Sequence, residues 1–512
     1  SEAIDFARYY AVHAERIEAW HASGALGVVC VVPPWNFPYA IPAGGVLAAL
    51  AAGNAVLLKP APETPTIALH LAKQLWAAGV PDDVLHYVPA PDDDAGRMLI
   101  THEDVDAVVL TGAHATAAMF AGWKPGIRLL AETSGKNALV IAASADIDTA
   151  VRDLVQSAFG HAGQKCSAAS LGIVVAAVHD DPQFRRQLVD AVTSLRVGWG
   201  TDPSAVVGPV IAPPRGSLER ALGVLDEGET WLVEPRPLDE SGRLWSPGVK
   251  CGVRPGSWSH QTEWFGPVLA LMRAPDLETA LAWQNGVDFG LTAGLAALDV
   301  EECEWWLRNI EAGNVYLNRG TTGAIVSRQP FGGWRKSAVG PTAKAGGRHY
   351  VECLRDWRVF SDISLAVASF DAWWNEQGSH VLPSAELRAE RNFVRYRPYN
   401  EIVIAHDGDR PEWIDFARHI AAQVGFSLLV TDPSAATRRL KEDGWQSRKL
   451  RWWSRDHTPT EQAIVAGVAL DSRPPTDIGE VEGPRWFREQ SVSVLDHRHG
   501  NVGAGPHPRL AK

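Results

Sequence analysis

The feature that most restricts the fold of this chain is a rhythm in its first 112 residues, where short β-branched runs alternate with helical stretches. GVVCVVP (27–33) reads as a strand, and a helical segment follows over roughly 42–52. AVLLKP (55–60) is a second strand run, and TIALHLAKQLWAAG (66–79) is helical with Gly79 as its stop. VLHYVP (84–89) and VDAVVLTG (105–112) read as further strands, the latter leading into another helix. Such βαβα alternation predicts a parallel sheet covered by helices. Ligands of such sheets bind beyond the carboxyl ends of the strands.

A second α/β region starts near NALVIAA (137–143) and runs to about residue 318. Residues 319–350 are rich in Gly and Thr, as functional loops often are. The charged run AELRAERN (385–392) reads as a linker or surface helix. EIVIAH (401–406), a helix over roughly 411–423, and FSLLVTD (426–432) compose another βαβ-like unit, and HRHGNVGAGPHPR (497–509) reads as irregular.

Several function classes are excluded at this level. The 512 residues suit two or three domains. A net charge of -12 without a basic run argues against nucleic-acid binding. The five cysteines (Cys30, Cys166, Cys251, Cys303 and Cys353) are scattered with no CxxC pair. Reduced thiols in a cytoplasmic protein are therefore expected, with neither a disulfide framework nor a metal site. The longest apolar stretch, 40–58, is broken by Pro42, Gly44, Gly45, Gly53 and Asn54, so no transmembrane segment is expected. The opening SEAIDFARYY is an amphipathic helix with no basic n-region, which argues against secretion.

Four residues could carry chemistry. Cys166 lies in FGHAGQKCSA, where Gly160 and Gly163 allow close backbone approach to a ligand. Glu132, in LLAETSGKN, could serve as a general base if burial raises its pKa. Asn36, in PPWNFP, offers a neutral amide donor suited to an oxyanion. Lys59 ends the strand run AVLLKP, where a cation suits a ribose or phosphate. Taken singly, each has a blander reading: a buried thiol, a surface acid, a turn residue and a snorkelling lysine.

Together they resemble the aldehyde dehydrogenase superfamily. PWNFP, LLKPAPETP, LTGA, AETSGKNALV, FGHAGQKCSA, TEWFGPVL, DFGLTAGL, GNVYLN and QPFGGWRKSAVG occur in that family's order across roughly residues 27–350. The resemblance implies a Rossmann-like NAD-binding domain over 1–133 that lacks its N-terminal part, and an α/β catalytic domain over 134–318. It further implies a substrate-anchor loop and return segment over 319–360 and a C-terminal, non-catalytic, aldehyde-dehydrogenase-like α/β domain over 361–512. By similarity, Cys166 is the nucleophile, Asn36 with the Cys166 N–H holds the oxyanion, and Glu132 activates the hydrolytic water. Lys59, Glu263, Phe265, Trp35 and Gly112 match cofactor-binding positions. Ala113 stands where the family has Ser, and Pro62 where it often has an acidic residue, so NADP stays open beside NAD.

The stretch GNVYLNRGTTGAIVSRQPFGGWRKSAVGPTAKAGGRHYV is most similar to L-glutamate-γ-semialdehyde (1-pyrroline-5-carboxylate) dehydrogenases, especially those fused to proline dehydrogenase. That likeness implies NAD-dependent oxidation of the semialdehyde to L-glutamate through a thiohemiacetal and a thioester. The α-carboxylate would be held by Gly346 and Gly347 of the KAGG loop and by Ser167, with Phe37 packing on the aliphatic chain. Ala338 replaces a glycine usual before that loop. AERNFVRYRP (389–398) and REQSVSVLDHRHGNVGAG (488–505) resemble the C-terminal domain of the fused enzymes. The likeness implies an upstream proline dehydrogenase domain in the same polypeptide and association into a homo-oligomer. Two other readings stay open: an aldehyde dehydrogenase of different specificity, and a non-catalytic assembly module.

Overall fold

The computed structural model describes residues 2–20, 23–341, 343–442, 445 and 448–496, so the stretch read as irregular (497–509) lies outside the described residues. The four strand runs of the opening rhythm become β1 (Val28–Val32), β2 (Ala55–Leu58), β3 (Leu85–Tyr87) and β4 (Ala107–Thr111), and a fifth parallel strand, β5 (Arg128–Glu132), joins them. They pair in the order β5-β4-β1-β2-β3, and the short strand Ala338–Val339 adds antiparallel to β5 with Ala338 opposite Glu132. Both faces are covered, and so the strands read as unbroken apolar runs rather than alternating ones. Helices α1 (Glu2–Ala19) and α2 (Ala40–Ala51) lie on one face and bury Phe6, Tyr10, Val46, Ala48 and Ala49 against Val29, Val31, Val56 and Val109. Because β1 has β4 on one side and β2 on the other, the chain turns away in both directions from its carboxyl end. That switch point is where a cleft must open.

The second sheet has ten strands. β6 (Asn137–Ile141), β7 (Ala169–Val175), β8 (Thr230–Val233), β9 (Gly248–Cys251), β10 (Val268–Ala274), β11 (Thr292–Ala296) and β12 (Asn314–Leu317) come from the middle of the chain. β13 (Leu382–Glu386), β14 (Glu390–Pro398) and β15 (Phe487–Leu495) come from beyond residue 361. The order is β13-β14-β15-β12-β11-β6-β7-β10-β9-β8, with β12 and β15 parallel and β14 antiparallel to β15. The charged run 385–392 is therefore neither linker nor surface helix but the turn and flanks of a β-hairpin. All nine residues of β14 pair with β15, and its charges find partners: Glu390 lies 2.6 Å from Arg319, and Arg391 lies 2.5 Å from Asp496. A ladder of that length outweighs the helical preference of isolated charged residues.

A third, four-stranded parallel sheet holds Ser427–Thr431, Glu401–His406, Arg448–Trp453 and Ala469–Asp471, in that order. The helix Pro411–Val424 crosses over between the first two strands in sequence, close to the range expected. Its core is aromatic: Phe370, Trp373, Phe416, Trp453, Trp486 and Phe487 are buried together.

Candidate functional site

The carboxyl ends of the first sheet deliver the expected residues to one place. β1 runs into Trp35 and Asn36, β2 into Lys59, β4 into Gly112, and β5 ends on Glu132. The second sheet contributes Cys166 through the connection that precedes β7. There His161, Ala162 and Gly163 adopt left-handed backbone at φ 60°, 55° and 69°. Two non-glycine residues in that region cost on the order of 1–3 kcal/mol each. Gly163 cannot be replaced cheaply, because a Cβ there would stand 2.1 Å from the Gly266 carbonyl oxygen. The tight turn brings Gln164 under Asn36, whose Nδ2 donates to the Gln164 carbonyl at 3.0 Å. Asn137 then donates to the carbonyls of Cys166 and Ala168 at 2.7 and 2.9 Å, fixing the segment that carries the thiol.

Cys166 sits where two cavities meet. The first spans about 1110 Å³, part of it open to solvent, and is lined by Glu2, Phe6, Phe37, Ile41, Glu132, Lys165, Cys166, Ser167, Gly323, Ala324, Phe331 and Tyr350. The second encloses about 800 Å³ and is lined by Trp35, Asn36, Thr111, Gly112, Ala113, Glu132, Ser134, Cys166, Glu263 and Phe265. Cys166, Glu132 and Ile41 border both. The side-chain trio inferred from sequence thus converges, although its members lie far apart in the chain.

Burial governs the electrostatics. It pushes the Glu132 carboxyl up to about 7, against the opposing field of Lys344, and Glu132 Oε1 is buried without a hydrogen-bond partner among the described residues. The Cys166 thiol is pushed up to about 12 by burial, with the carboxylates of Glu132 and Glu263 adding to the effect. The backbone N–H groups of Ser167 and Cys166 oppose that rise, because they favour the thiolate.

The cofactor-type residues group at the second cavity. Glu263 Oε1 accepts from the Gly135 N–H at 2.9 Å, and burial raises its carboxyl pKa. Phe265 holds a left-handed φ of 55° and meets Trp35 edge-on with ring centroids 5.8 Å apart. Thr111, Gly112 and Ala113 line the cavity and lead into the helix His114–Trp123, so its positive N-terminal end faces the space. The hydroxyl missing at Ala113 has a neighbouring counterpart in Ser134, whose Oγ accepts from the His114 N–H at 3.4 Å. Lys59 is buried, and its Nζ lies 2.5 Å from Asp92 Oδ1. A buried carboxyl, an aromatic pair and a helix N-terminus along one cleft fit a dinucleotide, and Lys59 follows the neighbouring strand β2.

On the substrate side Ser167 and Phe37 take their expected places, with Phe37 stacked on His161 at 5.7 Å. Gly346 and Gly347 do not. The Gly346 N–H donates to the Tyr10 hydroxyl at 2.8 Å and the Gly347 N–H to the Lys344 carbonyl at 2.9 Å, so neither is available to an anion in the cavity. The loop that reaches the cavity is Gly323–Ala324, ahead of the QPFGG motif. Gly323 has φ 132°, and among the described residues the N–H groups of Gly323 and Ala324 meet no acceptor. Sequence reasoning also missed Glu2 and Phe331. The signal available for the loop was the glycine in GTTGA, a position that demands positive φ. Ala338, which replaces a glycine usual before the KAGG loop, lies in the strand beside Glu132.

Comparison with known proteins agrees with this geometry. The chain is 36% identical over 374 residues to a 1-pyrroline-5-carboxylate dehydrogenase of Geobacillus sp. (strain WCH70), covering 69% of this chain and 72% of that protein. It is 34% identical over 375 residues to the 1-pyrroline-5-carboxylate dehydrogenase of Bacillus subtilis (strain 168), with the same coverage of 69% and 72%. Among solved structures, Proline Utilization A (PutA) from Corynebacterium freiburgense superposes with a TM-score of 0.90 at 43% identity, over 97% of this chain and 53% of that one. The chain thus spans about half the length of that protein. A Thermus 1-pyrroline-5-carboxylate dehydrogenase with bound NAD superposes with a TM-score of 0.64 at 31% identity, over 69% of this chain and 72% of that one. The aldehyde dehydrogenase family matches residues 1–359, about seven-tenths of the sequence, and the chain belongs to that family.

Proposed function

We propose that this chain oxidises L-glutamate-γ-semialdehyde to L-glutamate with NAD. The observation that carries the reading is the position of Cys166 at the junction of two cavities, one shaped for a dinucleotide and one for a short charged chain. The relatives' names supply the substrate, and the first cavity supplies its complement. An α-amino-acid semialdehyde carries a carboxylate and an ammonium at one end and a carbonyl at the other. The unpaired N–H groups of Gly323 and Ala324 and the Ser167 hydroxyl suit the carboxylate, Glu2 suits the ammonium, and Phe37 and Phe331 suit the methylenes.

Chemistry at the junction then follows from the residues. The Cys166 thiolate attacks the carbonyl carbon, a C–S bond forms, and the π pair moves to oxygen. One N–H of Asn36 stays on the Gln164 carbonyl, which fixes the amide and leaves its second N–H, with that of Cys166, for the oxyanion. Lys59, Glu263, Trp35, Phe265 and the Thr111–Ala113 turn would hold NAD, which when bound would supply the hydride acceptor; loss of hydride from this carbon leaves Cys166 carrying a thioester. Glu132 then takes a proton from water, the water oxygen adds to the thioester carbon, and the C–S bond breaks to release the carboxylic acid. Asp92 beside Lys59 provides the acidic group that Pro62 does not, which favours NAD over NADP through repulsion of a 2′-phosphate.

The likeness to PutA further supports a proline dehydrogenase domain in the same polypeptide and a cytoplasmic location; among the described residues no helix is long and apolar enough to cross a membrane. The domain division at 133, 318 and 360 belongs to the same reading, with β13, β14 and β15 crossing into the catalytic sheet.

The test is NAD reduction with glutamate semialdehyde and with hexanal, using Cys166→Ala as control. Turnover that favours the semialdehyde by at least tenfold in kcat/KM and disappears in the control is expected. Equal turnover of the two aldehydes would overturn the substrate assignment, and activity persisting in the control would overturn the nucleophile.

A further inference from the structure

The loop that carries the unpaired N–H groups of Gly323 and Ala324 is tied at both ends to strands from beyond residue 361. At its start, Arg319 Nη1 lies 2.6 Å from Glu390 Oε2 and donates to Ser493 Oγ at 2.7 Å. At its end, the Gln329 amide Nε2 has three acceptors in reach: Glu390 Oε1 at 2.9 Å, Asn392 Oδ1 at 2.9 Å and Ser493 Oγ at 3.0 Å. The two oxygens of one carboxylate on β14 therefore hold the two ends of the loop, and one hydroxyl on β15 bridges the same pair of side chains. The Glu390 and Arg319 side chains are only 17% and 19% exposed, so this contact is screened far less than a surface ion pair. The Asn392 Nδ2 donates to Glu390 Oε1 at 3.0 Å and fixes the carboxylate over its own strand. Between the tied ends, Ile325 and Gln329 exchange backbone hydrogen bonds at 2.7 and 3.3 Å, and the Tyr316 hydroxyl donates to the Gly323 carbonyl at 2.8 Å. Holding Gln329 thus holds Ile325, and with it the peptide that bears the Ala324 N–H.

Resting on the function proposed above, we propose that Glu390 is a positioning residue that sets specificity for a carboxylate-bearing aldehyde, by holding the loop from Arg319 to Gln329 in the shape that leaves the Gly323 and Ala324 N–H groups free for the substrate's anionic end. A loop containing Gly320 and Gly323 has much backbone freedom to lose, and an anion that had to order it would bind more weakly by that cost. Tying both ends to a sheet removes the cost before substrate arrives. Glu390 itself lines neither cavity, so it acts through the loop and not by contact with the aldehyde or the cofactor. Thr321 is fixed separately: its N–H donates to Ser157 Oγ at 2.9 Å and its hydroxyl to the Ser167 carbonyl at 3.0 Å. Loss of the Glu390 tie therefore loosens the part of the loop beyond Thr321 and spares the segment that carries Cys166. An aldehyde with no anionic end makes no use of the loosened N–H groups, so the effect is selective for the charged substrate.

The experiment uses the full 512-residue chain and follows NAD reduction with glutamate semialdehyde and with hexanal, the latter also in the presence of L-glutamate as a competing carboxylate. In Glu390→Gln, which keeps the size of the side chain and removes its charge, KM for the semialdehyde and the inhibition constant of L-glutamate rise about tenfold, while kcat and both constants for hexanal stay within about twofold of wild type. Arg319→Met, which cuts the same tie from the other side, moves the same two constants in the same direction. The double variant is no worse than the worse single one, because both changes remove one contact. An unmoved KM for the semialdehyde in Glu390→Gln overturns the proposal, and so does a rise that hexanal shares, which marks a general structural role. Should Glu390→Gln fail to fold, the same readings on Arg319→Met decide. A wild type that prefers the semialdehyde beside an unmoved Glu390→Gln leaves the function standing and removes this proposal alone. A wild type with no preference for the semialdehyde removes the functional reading and this proposal with it.

Discussion

A carboxyl held near neutrality predicts a particular pH profile. Burial raises Glu132 to about 7, and hydrolysis of the thioester needs its ionised form. The sign follows directly: the active carboxylate is present above the raised pKa and is lost as pH falls through it. Between pH 8 and pH 6 the ionised fraction falls from about 0.9 to about 0.1, a roughly tenfold change. An unperturbed Glu would stay almost fully ionised across that range. Hexanal is the substrate of choice, because it has no amine to condense with its own aldehyde. Stopped-flow mixing separates the two phases: the first turnover reports attack by Cys166, and the later linear phase reports hydrolysis. The linear phase should fall about tenfold from pH 8 to pH 6, and Glu132→Gln should abolish that phase at every pH while keeping the first turnover. A linear phase that is flat over this range, or one whose midpoint lies near the ordinary carboxylate value, would refute the argument from burial.

Three further outcomes are expected. Glu132→Gln should reduce about one NAD per site and then stall as the thioester; normal steady turnover in that variant would remove Glu132 from its role. Gly323→Ala, at a backbone position with φ 132°, should weaken the carboxylate contact by about 1.5–3 kcal/mol. That corresponds to roughly 10- to 100-fold in kcat/KM for the semialdehyde with little change for hexanal, and equal losses for both would place the loop's role elsewhere. Trp486→Ala should cost about 3–5 kcal/mol in urea unfolding, because Trp486 is fully buried and its Nε1 donates to Glu482 at 2.9 Å; a loss below 1 kcal/mol would contradict the packing described.

What the sequence disclosed and what it hid follow from how locally each feature is encoded. β1 to β4 were legible because buried parallel strands are continuous apolar runs with turn residues at their ends, whereas β5 showed only a short apolar pair before Glu132. Cys166, Glu132 and Asn36 were legible because each sits in a short motif whose neighbours, such as the glycines before Cys166, are demanded by its own backbone. The carboxylate loop was misplaced because two glycine-bearing segments, GTTGA and KAGG, both look able to present N–H donors. The Tyr10 hydroxyl on the Gly346 N–H, reaching across from the opposite end of the family match, and the Lys344 carbonyl on the Gly347 N–H distinguish them. β13 and β14 were hidden for the same reason. Their charges look solvated in isolation and are matched by Arg319 and Asp496 from elsewhere in the chain.

The wedged position of β15 has a consequence for how the protein is made. Its partner β12 ends at Leu317, whereas β15 spans Phe487–Leu495, so the catalytic sheet cannot be completed in the order in which the ribosome delivers it. A nascent chain halted near residue 480 already contains its nucleophile and its base, yet it presents β12 as a bare edge with a row of unsatisfied backbone groups, a template for pairing with other chains. Among the described residues β15 is the strand that retires this aggregation-prone edge, and a chain cut short between residues 480 and 490 should yield insoluble material rather than a shorter enzyme.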